Sequence, residues 1–142
     1  AKPNGIALSP DQKTLYVADT QPGPPGEARV VAFDVAEDGS LSNPRSLYSF
    51  GSGRGIDGMA IDVDGNLYGA AGANASGDPA NAAGIYVITP AGDLAGLIPI
   101  GEDPITNCTF GGMDLKTLYV TAGKTLYQIK TKNSGFLVYP PR

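Results

Sequence analysis

A chain of 142 residues with 42% hydrophobic content is long enough for one domain with its own core. Its net charge of −4 comes with lysine and arginine scattered singly, which excludes the basic footprint of a nucleic-acid binder, and no window approaches the roughly 18 apolar residues of a membrane span. Without histidine, and with Cys108 as the single cysteine, the chain has no internal disulfide, no Ser-His-Asp or Cys-His nucleophile and no histidine-bound zinc, so oxygen ligands and carboxylates are the chemistry left to it.

Glycine and proline are spread along the chain, which suits many tight turns between short strands and predicts an all-β, soluble protein. The first unit reads as strands over residues 5–9, 14–19, 29–35 and 46–50. The innermost is short and apolar, the turn Pro10-Asp11-Gln12-Lys13 leads to the second, and Asp38-Gly39 turns towards the fourth. The second unit copies it over 58–62, 67–71, 84–89 and 94–100, with Asp64-Gly65 and Ala91-Gly92 in the turns. A loop of small residues, 72–83, interrupts it, and the Pro-Gly-rich 21–27 stands at the corresponding place in the first unit; matching insertions in a repeat share one face, often the binding face. The third unit supplies 108–112, 117–122 and 125–131, then a weak rim strand over 136–139 before Pro140-Pro141.

The units share more than strand count. Asn4, Asp57 and Asn107 each stand just before a short inner strand, and a Leu-Tyr strand follows about ten residues later. The spacings are 57 − 4 = 53 and 107 − 57 = 50 residues, at the top of the range of roughly 40 to 50 for propeller blades. The expected architecture is a β-propeller of four-stranded blades over 1–52, 53–102 and 103–142, the last incomplete. Three blades do not close a ring, because propellers need about four to eight, so the chain is expected to be a fragment of a larger propeller or half of one assembled from two copies. Inner strands surround a channel, so Asn4, Asp57 and Asn107, taken as one register, converge at its mouth, where carboxylate and amide oxygens suit a hard cation such as Ca²⁺. The alternative for Asn4-Gly5 and Asp57-Gly58 is plain turn chemistry.

Pro3-Asn4-Gly5-Ile6-Ala7-Leu8-Ser9-Pro10-Asp11, Asp57-Gly58-Met59-Ala60-Ile61-Asp62 with Gly65-Asn66-Leu67-Tyr68, and Thr106-Asn107 with Leu118-Tyr119-Val120-Thr121 resemble the SMP-30/gluconolactonase/luciferin-regenerating family over nearly the whole chain. The resemblance implies the C-terminal half of a six-bladed propeller and one divalent metal at the channel mouth, Ca²⁺ first and Zn²⁺ as the alternative. It implies Asn4 and Asp57 as metal ligands, Asp57 also as general base, Asn107 as a substrate contact, and a sugar lactone or related ester as the small-molecule substrate. A metal polarises the lactone carbonyl while a carboxylate takes the proton of the attacking water, so no histidine is needed. The family's glutamate ligand lies outside these residues, so the chain alone is expected to have little lactonase activity unless two copies, or this chain and a missing N-terminal half, complete a ring. A noncatalytic scaffold or interaction module is the rival reading.

Arg54, three residues before Asp57, is placed to reach a substrate from the rim, with a solvated arginine as the alternative. Asp62-Val63-Asp64-Gly65-Asn66 lacks the later glutamate of a calcium loop and reads as an inter-strand turn, and Cys108 reads as a buried apolar residue.

Overall fold

The computed structural model describes residues 1–20 and 27–138 and contains three antiparallel sheets. The first runs β1 (Pro3–Leu8), β2 (Thr14–Asp19), β3 (Arg29–Val35) and β4 (Leu41–Ser49) in that order. The second runs β5 (Met59–Ile61), β6 (Leu67–Ala71), β7 (Gly84–Ile88) and β8 (Leu94–Pro99), and the third β9 (Ile105–Gly111), β10 (Thr117–Ala122) and β11 (Thr125–Lys130). Most of the predicted 21–27 insertion lies outside the described residues, whereas 72–83 folds into two single-turn 3-10 helices, Asn74–Ser76 and Pro79–Asn81.

Period-two alternation decides how the sheets stack. On β6, Leu67 and Ala71 face one core with Tyr16, Ala18, Val30, Ala32, Phe50 and Tyr86, while Tyr68 and Ala70 face another with Ile85, Ile105, Cys108, Phe110, Leu118 and Val120. The second sheet is therefore sandwiched, and all of β6 is buried. Edge-to-face ring pairs cross both junctions, Phe50 with Tyr86 at 5.2 Å and Tyr68 with Phe110 at 4.9 Å between centroids.

Two expectations change. The fourth strand of the first sheet begins at Leu41, ahead of the expected 46, although Asn43 and Pro44 resemble a break. It is an outer edge, where proline costs no ladder bond, and Asn43 sits at φ 49° with its amide and the Arg45 guanidinium both donating to Asp34. The rim strand expected over 136–139 does not join the third sheet, which has three strands among the described residues; position 139 lies outside them. Instead the chain returns inward: the Phe136 amide donates to the Ile61 carbonyl at 2.9 Å, and Phe136 packs on the core between the first two sheets. The Asn133 amide fixes this path by donating to Asp62 and Asp64, each at 2.9 Å. Asp62 is fully buried and also accepts from the Asp64 and Asn66 backbone amides and the Asn66 side chain, which makes 62–66 a turn.

Candidate functional site at the channel mouth

The three inner strands carry the same irregularity at the same level. Between Pro3 and Ile6 the pairing of β1 with β2 shifts by one residue, and β9 against β10 does so between Asn107 and Ile105. In the second sheet Ala70 faces two residues, accepting from the Asp57 amide and donating to the Gly58 carbonyl, both at 2.9 Å. An extra residue of this kind bends a strand and re-aims its side chain, and such bulges gather beside active sites.

The ladders also correct the predicted register. Ile6 pairs with Val17, Met59 with Gly69 and Cys108 with Val120, so the residues ahead of them align Gly5 with Gly58 and Asn107. The counterpart of Asn4 and Asp57 in the third sheet is Thr106, and Asn107 stands one position further on. The turns mislead a count along the chain: the equivalent pairs Leu8 with Leu15, Ile61 with Leu67 and Phe110 with Leu118 enclose six, five and seven residues.

Asn4-Gly5 and Asp57-Gly58 are not turns. Asn4 and Gly5 lie within β1, and neither glycine has the positive φ that a tight turn would use. The glycines serve close approach between sheets. A Cβ on Gly5 would stand 2.6 Å from the Asp57 carbonyl oxygen, and one on Gly58 would stand 2.1 Å from Asn107 Oδ1 and 2.9 Å from Asn107 Cα.

With the strands this close, Asn4 and Asp57 meet across 53 residues of sequence: Asn4 Nδ2 donates to Asp57 Oδ1 at 2.5 Å. Arg54 Nη2 donates to Asp57 Oδ2 at 2.8 Å, in an ion pair whose side chains are 32% and 31% exposed. Arg54 is held from behind, since its carbonyl accepts from the Gly72 amide at 2.9 Å and its Nη1 donates to the Gly72 carbonyl at 3.3 Å. The segment carrying the arginine is thus tied to the start of the 72–83 insertion.

Asn4 and Asp57 form a ridge between two open cavities. One, of about 440 Å³, is lined by Lys2, Thr20, Ser52 and Arg54; the other, of about 590 Å³, by Ile6, Met59, Thr106, Asn107 and Thr121, with Asn4 and Asp57 common to both. The structure therefore brings Arg54, Asn4 and Asp57 into direct contact, and places Asn107 in the lining of the second cavity against Gly58, its Oδ1 accepting from the Cys108 amide at 2.9 Å. Thr106, absent from the sequence-based candidates, lines that cavity with its hydroxyl 2.9 Å from the Thr121 hydroxyl. The signal that would have found it is the bulge, which side-chain chemistry alone does not reveal.

As hosts for a cation, these residues offer hard oxygen donors only. Turning the Asn4 amide over brings its oxygen to the Asp57 carboxylate, and the two groups then fit a divalent ion of the oxygen-seeking class as part of a shell of about six to eight. Among the described residues no group of three or more His, Cys, Asp or Glu gathers to complete such a shell. Cys108 takes no part: it is buried, its Sγ donates to the Tyr68 carbonyl at 3.1 Å, and burial pushes its thiol up to about 12.

Comparison with known proteins identifies the family and the fold. The family model described as SMP-30/Gluconolactonase/LRE-like region matches residues 1–124. The gluconolactonase of Zymomonas mobilis is 34% identical over an alignment covering 95% of this chain and 36% of its own length. Regucalcin of Xenopus laevis is 34% identical, covering 84% of this chain and 36% of its own length. The solved structure of a gluconolactonase from Xanthomonas campestris superposes with a TM-score of 0.70 at 33% identity, covering 90% of this chain and 37% of that one. The chain spans about a third of the length of the relatives it matches, and its three sheets are blades of their propeller.

Proposed function

Since the chain belongs to the SMP-30/gluconolactonase/LRE-like family, we propose that it supplies part of the site of a divalent-metal-dependent hydrolase acting on a sugar lactone or related ester. Relatives include a gluconolactonase and regucalcins, which supports lactone hydrolysis at the level of the family. The observation that carries the reading is the contact of Asn4, Asp57 and Arg54 at the ridge between two polar-lined cavities.

In this proposal Asn4 and Asp57 hold the cation, Ca²⁺ in preference to Zn²⁺ because both donors are hard oxygens. A bound divalent cation would polarise the lactone carbonyl and favour the charge that develops on its oxygen. Asp57 holds the attacking water and accepts its proton, a role open to a carboxylate with no histidine in the chain. To do so it must free one oxygen from its present donors. Arg54 and Asn107 face the substrate from opposite cavities, and the Thr106 hydroxyl offers a further contact beside Asn107.

The chain alone supplies two oxygen groups of the cation shell, so we expect little turnover from it and expect activity from a closed ring. Two copies joined edge to edge, or this chain with the remaining blades, would close one. Ile6 and Leu126, at 62% and 67% exposure, present apolar surface for such contacts. The rival reading, a noncatalytic module that keeps the architecture, draws on one observation: both Asp57 oxygens are already satisfied by protein donors. The assay that separates the two is hydrolysis of glucono-δ-lactone with and without calcium in a polypeptide extended to the full length of the relatives. Calcium binding without turnover there would leave only the noncatalytic module.

A further inference from the structure

Asp57 brings one negative charge and two acceptor oxygens to the mouth, and in this chain the protein answers all of them. Asn4 Nδ2 donates to Oδ1, and Arg54 Nη2 donates to Oδ2. The arginine is not a loose surface side chain that happens to lie nearby. Its backbone carbonyl and its Nη1 both bond Gly72, so the guanidinium is delivered to Asp57 from a fixed base.

A guanidinium stays charged at any working pH, whereas a carboxylate that needed only to be oriented would be served as well by a neutral donor such as the Asn4 amide. A divalent ion approaching Asp57 therefore meets a fixed positive charge already bound to one of the two carboxylate oxygens. Lys2 lines the same cavity and has no contact of this kind with Asp57. We propose that Arg54 is the resident counter-ion of Asp57 and contends with a divalent cation for that carboxylate, so that this one residue sets how tightly the mouth holds the ion. The inference rests on the reading that Asp57 takes a cation. It goes further by giving Arg54 an opposing role at the cation itself in place of a substrate contact.

The test is calorimetric titration with calcium chloride of the polypeptide extended to the full length of the relatives, in the wild type, Arg54→Gln, Arg54→Ala and Lys2→Gln, each first shown by thermal unfolding to keep its fold. Because the ion pair is about a third exposed and partly screened, both Arg54 variants are expected to bind calcium about three- to tenfold more tightly, and Lys2→Gln to change affinity less than twofold. In the wild type, the Arg54 Nε–Hε NMR signal should shift as calcium saturates. Unchanged or weaker binding in Arg54→Gln, an equal gain in Lys2→Gln, or a stationary Arg54 signal would each overturn the inference. If wild-type calcium binding is intact and Arg54→Gln matches it, the cation reading survives and only this inference falls. No calcium binding by any variant removes both.

Discussion

Replacing Gly58 by alanine tests the close packing that creates the mouth. The added Cβ would fall 2.1 Å from Asn107 Oδ1, 2.4 Å from its Cγ and 2.9 Å from its Cα. The side-chain atoms can rotate away, because Asn107 is exposed, but the Cα belongs to β9, which is tied to Gly58 by the Gly58 amide donating to the Thr106 carbonyl at 2.8 Å. The second and third sheets must then shift apart locally. Forcing a methyl group into a packed contact costs about 1–3 kcal/mol, against which the alanine recovers about 0.4–1 kcal/mol by restricting the unfolded chain. The net expectation is a loss of about 1–2 kcal/mol, or a fall in Tm of roughly 2–8 °C for a chain of this size. Urea unfolding followed by circular dichroism measures it. Adding Asn107→Gly should restore part of the loss by removing the two nearest atoms, a coupling that a double-mutant cycle would detect. Unchanged or increased stability in Gly58→Ala would refute the close-approach account of the Asp-Gly pair.

Three further outcomes are expected. Cys108, buried and with its thiol pushed up to about 12, should resist alkylation at pH 8 in the folded chain and react readily in denaturant; comparable rates in both states would contradict its placement. Asp11, Asp34 and Asp114 have carboxyls held below their ordinary value, chiefly by hydrogen bonds from Ser9, Asn43 and the Lys116 amide respectively. A depressed folded-state pKa gives stability that is present above the unfolded value near 3.8 and lost as pH falls through the folded one, so the urea midpoint should drop between pH 5 and pH 2; a flat profile would show these bonds to be idle. Light scattering on the purified chain should give the mass of two copies if its open sheets pair into a ring, and a stable monomer would remove that assembly.

Most of the fold was legible because it rests on local rules. The strands expected over 14–19, 67–71 and 117–122 appear with those bounds, and Asp38-Gly39, Asp64-Gly65 and Ala91-Gly92 lie in the connections where they were expected, each glycine at positive φ. What escaped depends on long-range contact. The inward return of Phe136 is decided by Asn133 reaching two carboxylates about 70 residues earlier, which no local pattern announces. At the mouth, Asn4 and Asp57 were recognisable from their repeat, and their contact follows. Asn107 was misaligned by one position because the bulges and unequal turns break the count between the inner strand and the Leu-Tyr strand. Thr106 was passed over for the same reason, since a threonine beside an asparagine is the less conspicuous ligand-bearing residue until the ladder shows which of them matches Asn4.

The most direct test of the account is turnover of glucono-δ-lactone, followed by pH-stat in a polypeptide extended to the full length of the relatives, with calcium and with a chelator, in the wild type and in Asp57→Ala. The wild type should hydrolyse lactone only with the metal present. Asp57→Ala should lose both the activity, by at least about a hundredfold, and tight calcium binding, since it removes the carboxylate that serves as ligand and base. Metal-dependent turnover that persists in Asp57→Ala would contradict the site described here.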